Sequence, residues 1–298
     1  MFTRTRSDRA LPVTKRVQIP QARRSERLER TLAHVSDLHV GRDEKSDART
    51  RALGRALADA GVDDVLVTGD VTHRGRHREY LAFLEAMAPV ADRMIVVPGN
   101  HDRLGEDAGE RVMRGARVDV VARPGLHVVR LDSTAPHNRD LISAHGQLGW
   151  EDIEAVEGAV AAAPRGALVA LALHHHLLRL PADHLGERLA TWLGWPHASE
   201  LGLGRELAAA LRGRCDLVAH GHRHAEASFT LPSLAGRPLR ILNAGSTPEL
   251  GRARLLVHAA GRIVSERWLE VAPRLRRRAA AAALGAHGSE PLRTPTAA

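Results

Sequence analysis

The chain has 298 residues, of which 44% are hydrophobic and 26% are charged, so it is long and apolar enough to bury a core and is not a disordered chain. No apolar run approaches the roughly 20 residues of a membrane span, and a single cysteine excludes a disulfide framework and a thiolate-rich zinc site. The net charge of +8 divides into +6 for residues 1–30, +4 for 272–298 and −2 for the rest, which argues against nucleic-acid binding by the body.

The two ends of the chain differ in composition from its centre. Residues 1–30 lack hydrophobic periodicity and the apolar segment of a secretory signal, so we expect a cytoplasmic protein. Residues 272–298 contain an arginine cluster, an alanine run and a Gly/Ser/Pro/Thr stretch, which are typical of a frayed helix followed by disorder. These patterns predict one folded domain over residues 31–271 between two basic, disordered tails.

Short β-like runs alternate with helical patterns through the first two thirds of the central region, and only strands and turns follow. The strands are predicted at 31–36, 65–68, 94–97, 126–131, 167–173 and 217–219, then at 228–231, 239–242, 254–259 and 263–271. The helices are predicted at 49–60, 78–87, 147–163 and 200–212, with Trp150 in the core. This order predicts an α/β fold of layered sheets flanked by helices.

Side chains that can bind metal or exchange protons follow five of the predicted strands. They are Asp37 and His39, then Asp70, then Asn100, His101 and Asp102, then His174, His175 and His176, and finally His220, His222 and His224. Because ligands bind at the carboxyl edge of an α/β sheet, we expect these side chains to share one rim.

The ligand types narrow the choice of metal. Carboxylate, amide oxygen and imidazole without thiolate suit Mn, Fe, Co, Zn or Ni. Two aspartates, one asparagine and four histidines are too many for one ion, but they suit two ions that share a carboxylate. The sequence therefore predicts a binuclear site.

The ordered motifs Asp37-x-His39, Gly69-Asp70, Gly99-Asn100-His101-Asp102, a strand-end histidine and Gly221-His222-x-His224 resemble the calcineurin-like metallophosphoesterase superfamily. The resemblance covers residues 31–260 approximately and implies a four-layer α/β/β/α sandwich of two mixed β-sheets flanked by helices. It also implies two transition-metal ions, with manganese and iron as the leading candidates.

The resemblance implies a role for each residue of these motifs. Asp37, His39 and His224 would hold the first metal, while Asn100, His174 and His222 would hold the second. Asp70 would bridge both, and the attacking group would be a hydroxide between the metals. His101 would protonate the leaving oxygen or stabilise charge on the phosphate, and Asp102 would orient His101.

Several alternatives stay open at this level. His175 replaces His174 as the ligand if the strand ends one residue later. Arg103 is either a phosphate contact or a solvated loop residue. The segment 177–199, with Trp192 and Trp195, is a candidate lid or homodimer contact, or else a loop that simply packs on the surface. Gly99 is expected to supply a sharp reversal of the chain.

Within the superfamily, the motifs differ from those of protein Ser/Thr phosphatases, because Gly69-Asp70 leads into Val71-Thr72-His73-Arg74 rather than Asp-Arg-Gly. The compact length is similar to that of small diesterases, so the leading substrate is a small phosphodiester, first of all a cyclic nucleotide. The alternatives are a lipid or glycerophosphodiester hydrolase, a nuclease that uses the basic tails and, from a different class, a non-catalytic scaffold.

Overall fold

A computed structural model describes residues 29–139, 144–178, 201–234 and 236–272. Nearly all of the two predicted tails and of the candidate lid lies outside these residues. Within them, eleven strands form two mixed sheets. No helix in this part of the chain is long and apolar enough to cross a membrane.

The first sheet has five strands in the order β11-β10-β1-β2-β3. Its strands are β1 (Arg30–Val35), β2 (Asp64–Thr68), β3 (Met94–Val97), β10 (Arg252–Ala259) and β11 (Arg262–Glu270). The first three run parallel, whereas β10 pairs antiparallel with β1 and β11 pairs antiparallel with β10. The three parallel strands therefore end at one edge.

The second sheet has six strands in the order β4-β5-β6-β7-β9-β8. They are β4 (Val118–Arg123), β5 (Leu126–Leu131), β6 (Leu168–Ala172), β7 (Leu217–His220), β8 (Ala227–Leu231) and β9 (Leu239–Asn243). The four central strands are parallel, and the edge strands β4 and β8 are antiparallel to their neighbours. Sequence patterns did not identify β4, whose residues are mostly half-exposed.

Helices cover the outer face of each sheet. They are α1 (Glu44–Asp59), α2 (His77–Ala86), α3 (Glu110–Met113), α4 (Trp150–Ala161), α5 (Gly204–Leu211) and α6 (Thr247–Leu250). Shorter 3₁₀ turns lie at Ala88–Arg93, His101–Arg103 and Pro136–Arg139. Asp43 caps the N-terminus of α1, because its side chain accepts a hydrogen bond from the main-chain N–H of Ser46.

Three apolar layers hold this sandwich together. Leu32, Leu66 and Ile95 from the first sheet pack against residues of the second, such as Leu168 and Leu217. A separate cluster joins the first sheet to α1 and α2, and another joins the second sheet to α4 and α5. The predicted four-layer α/β/β/α fold is therefore confirmed.

One core prediction was wrong. Trp150 is 59% exposed, because it is the first residue of α4 and precedes the buried positions Ile153, Val156 and Val160. The helical periodicity identified the helix correctly, but it could not show that its first turn projects into solvent.

Candidate metal centre

The carboxyl ends of parallel strands from both sheets meet at one rim. Asp37 and Asp70 follow β1 and β2, Asn100 follows β3, His174 follows β6, and the loop after β7 carries His222 and His224. The main-chain N–H of Asp37 donates to the carbonyl of Gly69 (3.1 Å). The fold therefore brings all seven predicted ligands together, although they are up to 187 positions apart in the sequence.

Two histidines and an aspartate form the first group. The Nε2 atoms of His39 and His224 lie 3.1 Å apart, and Nε2 of His224 lies 3.7 Å from Oδ1 of Asp37. Oδ1 of Asp37 is buried and has no hydrogen-bond partner among the described residues. Because two imidazole nitrogens and an unpartnered carboxylate oxygen converge, this group has the donor set of a transition-metal site.

Asn100, His174 and His222 form the second group. Oδ1 of Asn100 lies 3.1 Å from Nε2 of His174 and 3.1 Å from Nδ1 of His222, and these two nitrogens are 3.3 Å apart. Nδ1 of His174 donates to the carbonyl of Thr68 (2.8 Å), so Nε2 of the neutral ring carries a lone pair. Nε2 faces an amide oxygen, and a cation between these two atoms would stabilise the contact.

Asp70 lies between the two groups. Its Oδ2 is 3.6 Å from Nε2 of His39 in the first group, and its Oδ1 is 3.4 Å from Nε2 of His174 in the second. The side chain is buried, and Oδ1 also accepts the main-chain N–H of His101 (2.9 Å). This position fits the bridging role that the sequence predicts.

The electrostatics of the site favour added positive charge. Burial lowers the pKa of His39 and His222 well below the usual value, so both rings are neutral and have a lone pair to offer. Burial also opposes the charged form of His174, but the Asp70 carboxylate outweighs it and raises the pKa of His174 to about 9. A cation is thus stabilised at the point where the lone pairs converge, and the residues present fit a pair of metal ions.

The backbone of the site is strained. Four residues have φ angles in the left-handed region, which residues other than glycine rarely occupy. They are Asp37 (+53°), His39 (+46°), Asp70 (+50°) and His222 (+71°). Such conformations persist only where the surroundings impose them, and they cluster at functional sites. Four of the seven predicted ligands share this feature.

Two glycines of the motifs are required by space. A Cβ on Gly99 would lie 2.2 Å from Oδ1 of Asp70, and a Cβ on Gly221 would lie 1.9 Å from Oγ of Ser36. The φ angle of Gly99 is not positive, so the expected sharp reversal is not what this residue supplies. Its missing side chain lets the loop after β3 approach Asp70.

The structure distinguishes His174 from His175. Nδ1 of His175 lies 2.8 Å from Oγ of Ser133, and its Nε2 lies 3.0 Å from the carbonyl of Ala144. Both ring nitrogens of His175 are therefore engaged away from Asp70, although the ring lies close to His174 and His222. The geometry favours His174 as the ligand.

His101 lies at the rim beside the first group, with its ring centroid 4.6 Å from that of His39. Its Nδ1 donates to the main-chain carbonyl of His73 (2.8 Å), which leaves Nε2 available to a substrate. The predicted role of Asp102 is therefore corrected: the carbonyl of His73, and not the Asp102 carboxylate, accepts the hydrogen bond of the imidazole.

Asp102 holds the backbone of two ligand-bearing loops. Its buried carboxylate accepts the N–H groups of Val71 (3.2 Å), Thr72 (2.8 Å) and Gly99 (2.9 Å) and the hydroxyl of Thr72 (2.6 Å). These bonds join the loop after β2, which carries Asp70, to the loop after β3, which carries Asn100. Asp102, which follows His101 in the sequence, thus supports the site by binding the main chain of these two loops.

We expect Asp102→Asn to lower the free energy of unfolding by about 2–4 kcal/mol, because an amide has one acceptor oxygen and cannot satisfy four buried donors. Urea unfolding of the metal-free protein measures this loss. Asp119→Asn is the control, since Asp119 forms a partly exposed ion pair with Arg130, which we expect to contribute about 1 kcal/mol or less. Equal losses in the two variants would contradict the assignment.

Arg103 is a structural residue. Its guanidinium contacts the carboxylates of Asp107 (2.9 Å) and Asp132, and its Nε donates to Thr134 (2.9 Å). These partners occupy the side chain, which the sequence had left open as a phosphate contact.

The residues after β9 were not among the predicted site residues. Ser246 and Glu249 contact the first group, and β9 is parallel to β7 in the same sheet. The rule that identified the other ligands, polar residues after the carboxyl end of a parallel strand, covers this position too, although Glu249 lies farther from its strand end than Asp37, Asp70, Asn100 and His174 do from theirs. Cys215 is buried and its thiol faces the carbonyls of Val169 and Leu217, so it takes no part in the site.

The chain is similar to solved phosphatases in fold. A dimetal phosphatase from Danio rerio superimposes with a TM-score of 0.54 at 12% identity, covering 82% of this chain and 99% of that one. A purple acid phosphatase from yellow lupin (Lupinus luteus) seeds gives a TM-score of 0.52 at 13% identity, covering 81% of this chain and 54% of that one.

A sequence relative and a family profile complete the comparison. A protein of Vesicomyosocius okutanii named "Probable cyclic nucleotide phosphodiesterase" is 27% identical over 77 residues, which is 24% of this chain and 33% of that protein. The profile described as calcineurin-like phosphoesterase matches residues 30–226, more than half of the chain and all of the loops that carry the seven convergent side chains. The chain therefore belongs to the calcineurin-like phosphoesterase family.

Proposed function

We propose that this protein is a binuclear metal-dependent phosphodiesterase that hydrolyses a small phosphodiester, first of all a cyclic nucleotide. The observation that carries the proposal is the position of Asp70, which presents one carboxylate oxygen to each of two convergent groups. A single shared carboxylate between two nitrogen- and oxygen-rich groups is the arrangement that a pair of ions requires.

The proposed division of the residues between the two ions is the one that the family resemblance implies. Asp37, His39 and His224 would hold one ion, Asn100, His174 and His222 would hold the other, and Asp70 would contact both. Manganese and iron are the leading ions, because the donors are oxygen and imidazole nitrogen without thiolate. When bound, the ions supply a Lewis acid for the phosphoryl oxygens and activate water.

His101 would act on the leaving group. The hydrogen bond from its Nδ1 to the carbonyl of His73 fixes the ring, so Nε2 can hold a proton for the departing oxygen or donate a hydrogen bond to the phosphate. Its main-chain N–H also donates to Asp70, which ties the proton donor to the bridging carboxylate.

The preference for a diester is supported by the matched segment of the relative named as a cyclic nucleotide phosphodiesterase. It is also supported by the sequence motif Gly146-Gln147-Leu148 before α4, which resembles a motif of small diesterases. The different-class alternative, a non-catalytic scaffold, would not need seven convergent ligands or their strained backbone.

The test is hydrolysis of bis(p-nitrophenyl) phosphate beside p-nitrophenyl phosphate after reconstitution with Mn²⁺. We expect diester turnover to exceed monoester turnover, to fall to background with a chelator and to return when Mn²⁺ is restored. A monoester preference would contradict the diesterase assignment. Failure of the protein to bind metal would favour the scaffold.

A further inference from the structure

The segment from Asn243 to Leu250 supports the first group from outside the residues that the family profile matches. The hydroxyl of Ser246 donates to the main-chain carbonyl of Asp37 (3.0 Å), and Oγ1 of Thr247 accepts the main-chain N–H of Ser36 (3.1 Å). The N–H of Thr247 returns a bond to the carbonyl of Ser36 (3.1 Å). This segment therefore fixes the turn that carries Asp37.

The same segment fixes the loop after β7, which carries His222 and His224. The side-chain amide of Asn243, which is fully buried, donates to the carbonyls of Arg223 (2.9 Å) and Ala225 (3.0 Å). The main-chain N–H of Ser246 donates to the carbonyl of His224 (3.1 Å). The backbone on both sides of His224 is thus held from one short segment.

One side chain of the segment reaches a ligand ring directly. Oε1 of Glu249 lies 3.4 Å from Nδ1 of His224, on the far side of the ring from the Nε2 that faces His39 and Asp37. A carboxylate only accepts hydrogen bonds, so Glu249 selects the tautomer with its hydrogen on Nδ1 and its lone pair on Nε2.

Arg42 links Glu249 to the other histidine of the group. Its guanidinium donates to Oε1 of Glu249 (2.7 Å) and to Oγ of Ser46 in α1 (2.8 Å). Arg42 is three residues after His39, and its main-chain N–H donates to the carbonyl of His39 (3.0 Å). The ion pair therefore joins the chain segment of His39 to the ring of His224.

We propose that Glu249 is a positioning residue for the first metal ion, which it serves by holding His224 in the metal-binding tautomer and orientation. This inference rests on the proposed binuclear centre. The second group has no need of such a residue at His174, whose Nδ1 donates to the main-chain carbonyl of Thr68. The two ions consequently differ in sensitivity to a single side-chain change: Glu249→Gln should affect only one.

The test is a titration of the metal-free protein with Mn²⁺, in which electron paramagnetic resonance measures the free ion. We expect the wild type to bind two equivalents. Glu249→Gln keeps the size of the side chain, but its amide can donate as well as accept, so the tautomer is no longer selected. One equivalent should weaken by about 10–100-fold, and the other should keep its affinity.

Glu226→Gln is the matched control. Glu226 lies two residues after His224 and pairs with Arg252 (2.5 Å), so the substitution breaks a comparable ion pair whose partner is not one of the seven predicted ligands. It should bind both equivalents like the wild type. In the His224→Ala background, Glu249→Gln should leave the remaining equivalent unchanged, because the ring on which it acts is gone.

Several results would overturn the inference. They are wild-type affinities in Glu249→Gln, equal weakening of both equivalents, and a loss of fold in the metal-free variant, which urea unfolding would show and which would make Glu249 a general structural residue. A wild type that binds two ions without hydrolysing a diester would overturn only the proposed function. A wild type that binds no ion would overturn both.

Discussion

Asp70→Asn is expected to lower diester turnover by about 10³-fold or more, which corresponds to about 4 kcal/mol of lost transition-state stabilisation. The amide has nearly the same shape, but it has no charge and only one acceptor oxygen. It can therefore face one group at most, whereas the two oxygens of Asp70 face Nε2 of His39 and Nε2 of His174. We expect fewer than two bound ions per chain.

Metal content after dialysis against buffered Mn²⁺ and turnover of the diester check this prediction together. Asp64→Asn is the control, because Asp64 is a buried aspartate at the opposite end of the same strand, where it pairs with Arg30 (3.4 Å). It should keep two ions and near wild-type turnover. Two tightly bound ions and normal turnover in Asp70→Asn would remove the basis of the mechanism.

His101→Ala is expected to slow turnover by about 10²–10⁴-fold while both ions stay bound. His101 is assigned to neither ligand group, and its Nδ1 is engaged by the carbonyl of His73. The loss should be larger for a cyclic nucleotide, whose alkoxide leaving group needs a proton, than for bis(p-nitrophenyl) phosphate, whose phenolate leaves without one.

The comparison of the two substrates separates the roles that the sequence leaves open for His101. Equal losses on both would mean that His101 stabilises charge on the phosphate and does not donate a proton. His77→Ala is the matched control, because His77 is the first residue of α2 and its Nδ1 contacts Arg111 (3.3 Å) at the surface. A fall in metal content of His101→Ala to that of Asp70→Asn would instead make His101 a ligand.

The sequence predicted most of the fold because its strands are short apolar runs with clear ends. Ten predicted strands match observed ones to within two residues at each end, and α2 matches to within one, whereas α1, α4 and α5 were identified with less accurate bounds. β4 was missed, since an edge strand with half-exposed residues has no continuous apolar run. The three-residue turn after β3 and the short helix α6 are likewise too short to show periodicity.

The candidate ligands were predictable for a physical reason. Parallel strands place their carboxyl ends on one rim, so polar residues after successive strands meet in space without any knowledge of the packing. Asp37, Asp70, Asn100 and His174 follow this rule, and each lies within one to three residues of a strand end. Glu249 lies six residues after β9, and the rule weakens with that distance.

The sequence by itself determined the family, the layered α/β fold and the set of side chains at the rim, because these depend on composition and on short-range order along the chain. Only the tertiary structure decided which atoms face one another. It placed Asp102 on the loop backbone, gave the orientation of His101 to the carbonyl of His73 and put Glu249 beside His224. These contacts join residues 3 to 28 positions apart. They depend on ring orientation and loop conformation, which are set by the packing of the two sheets and not by residue types alone.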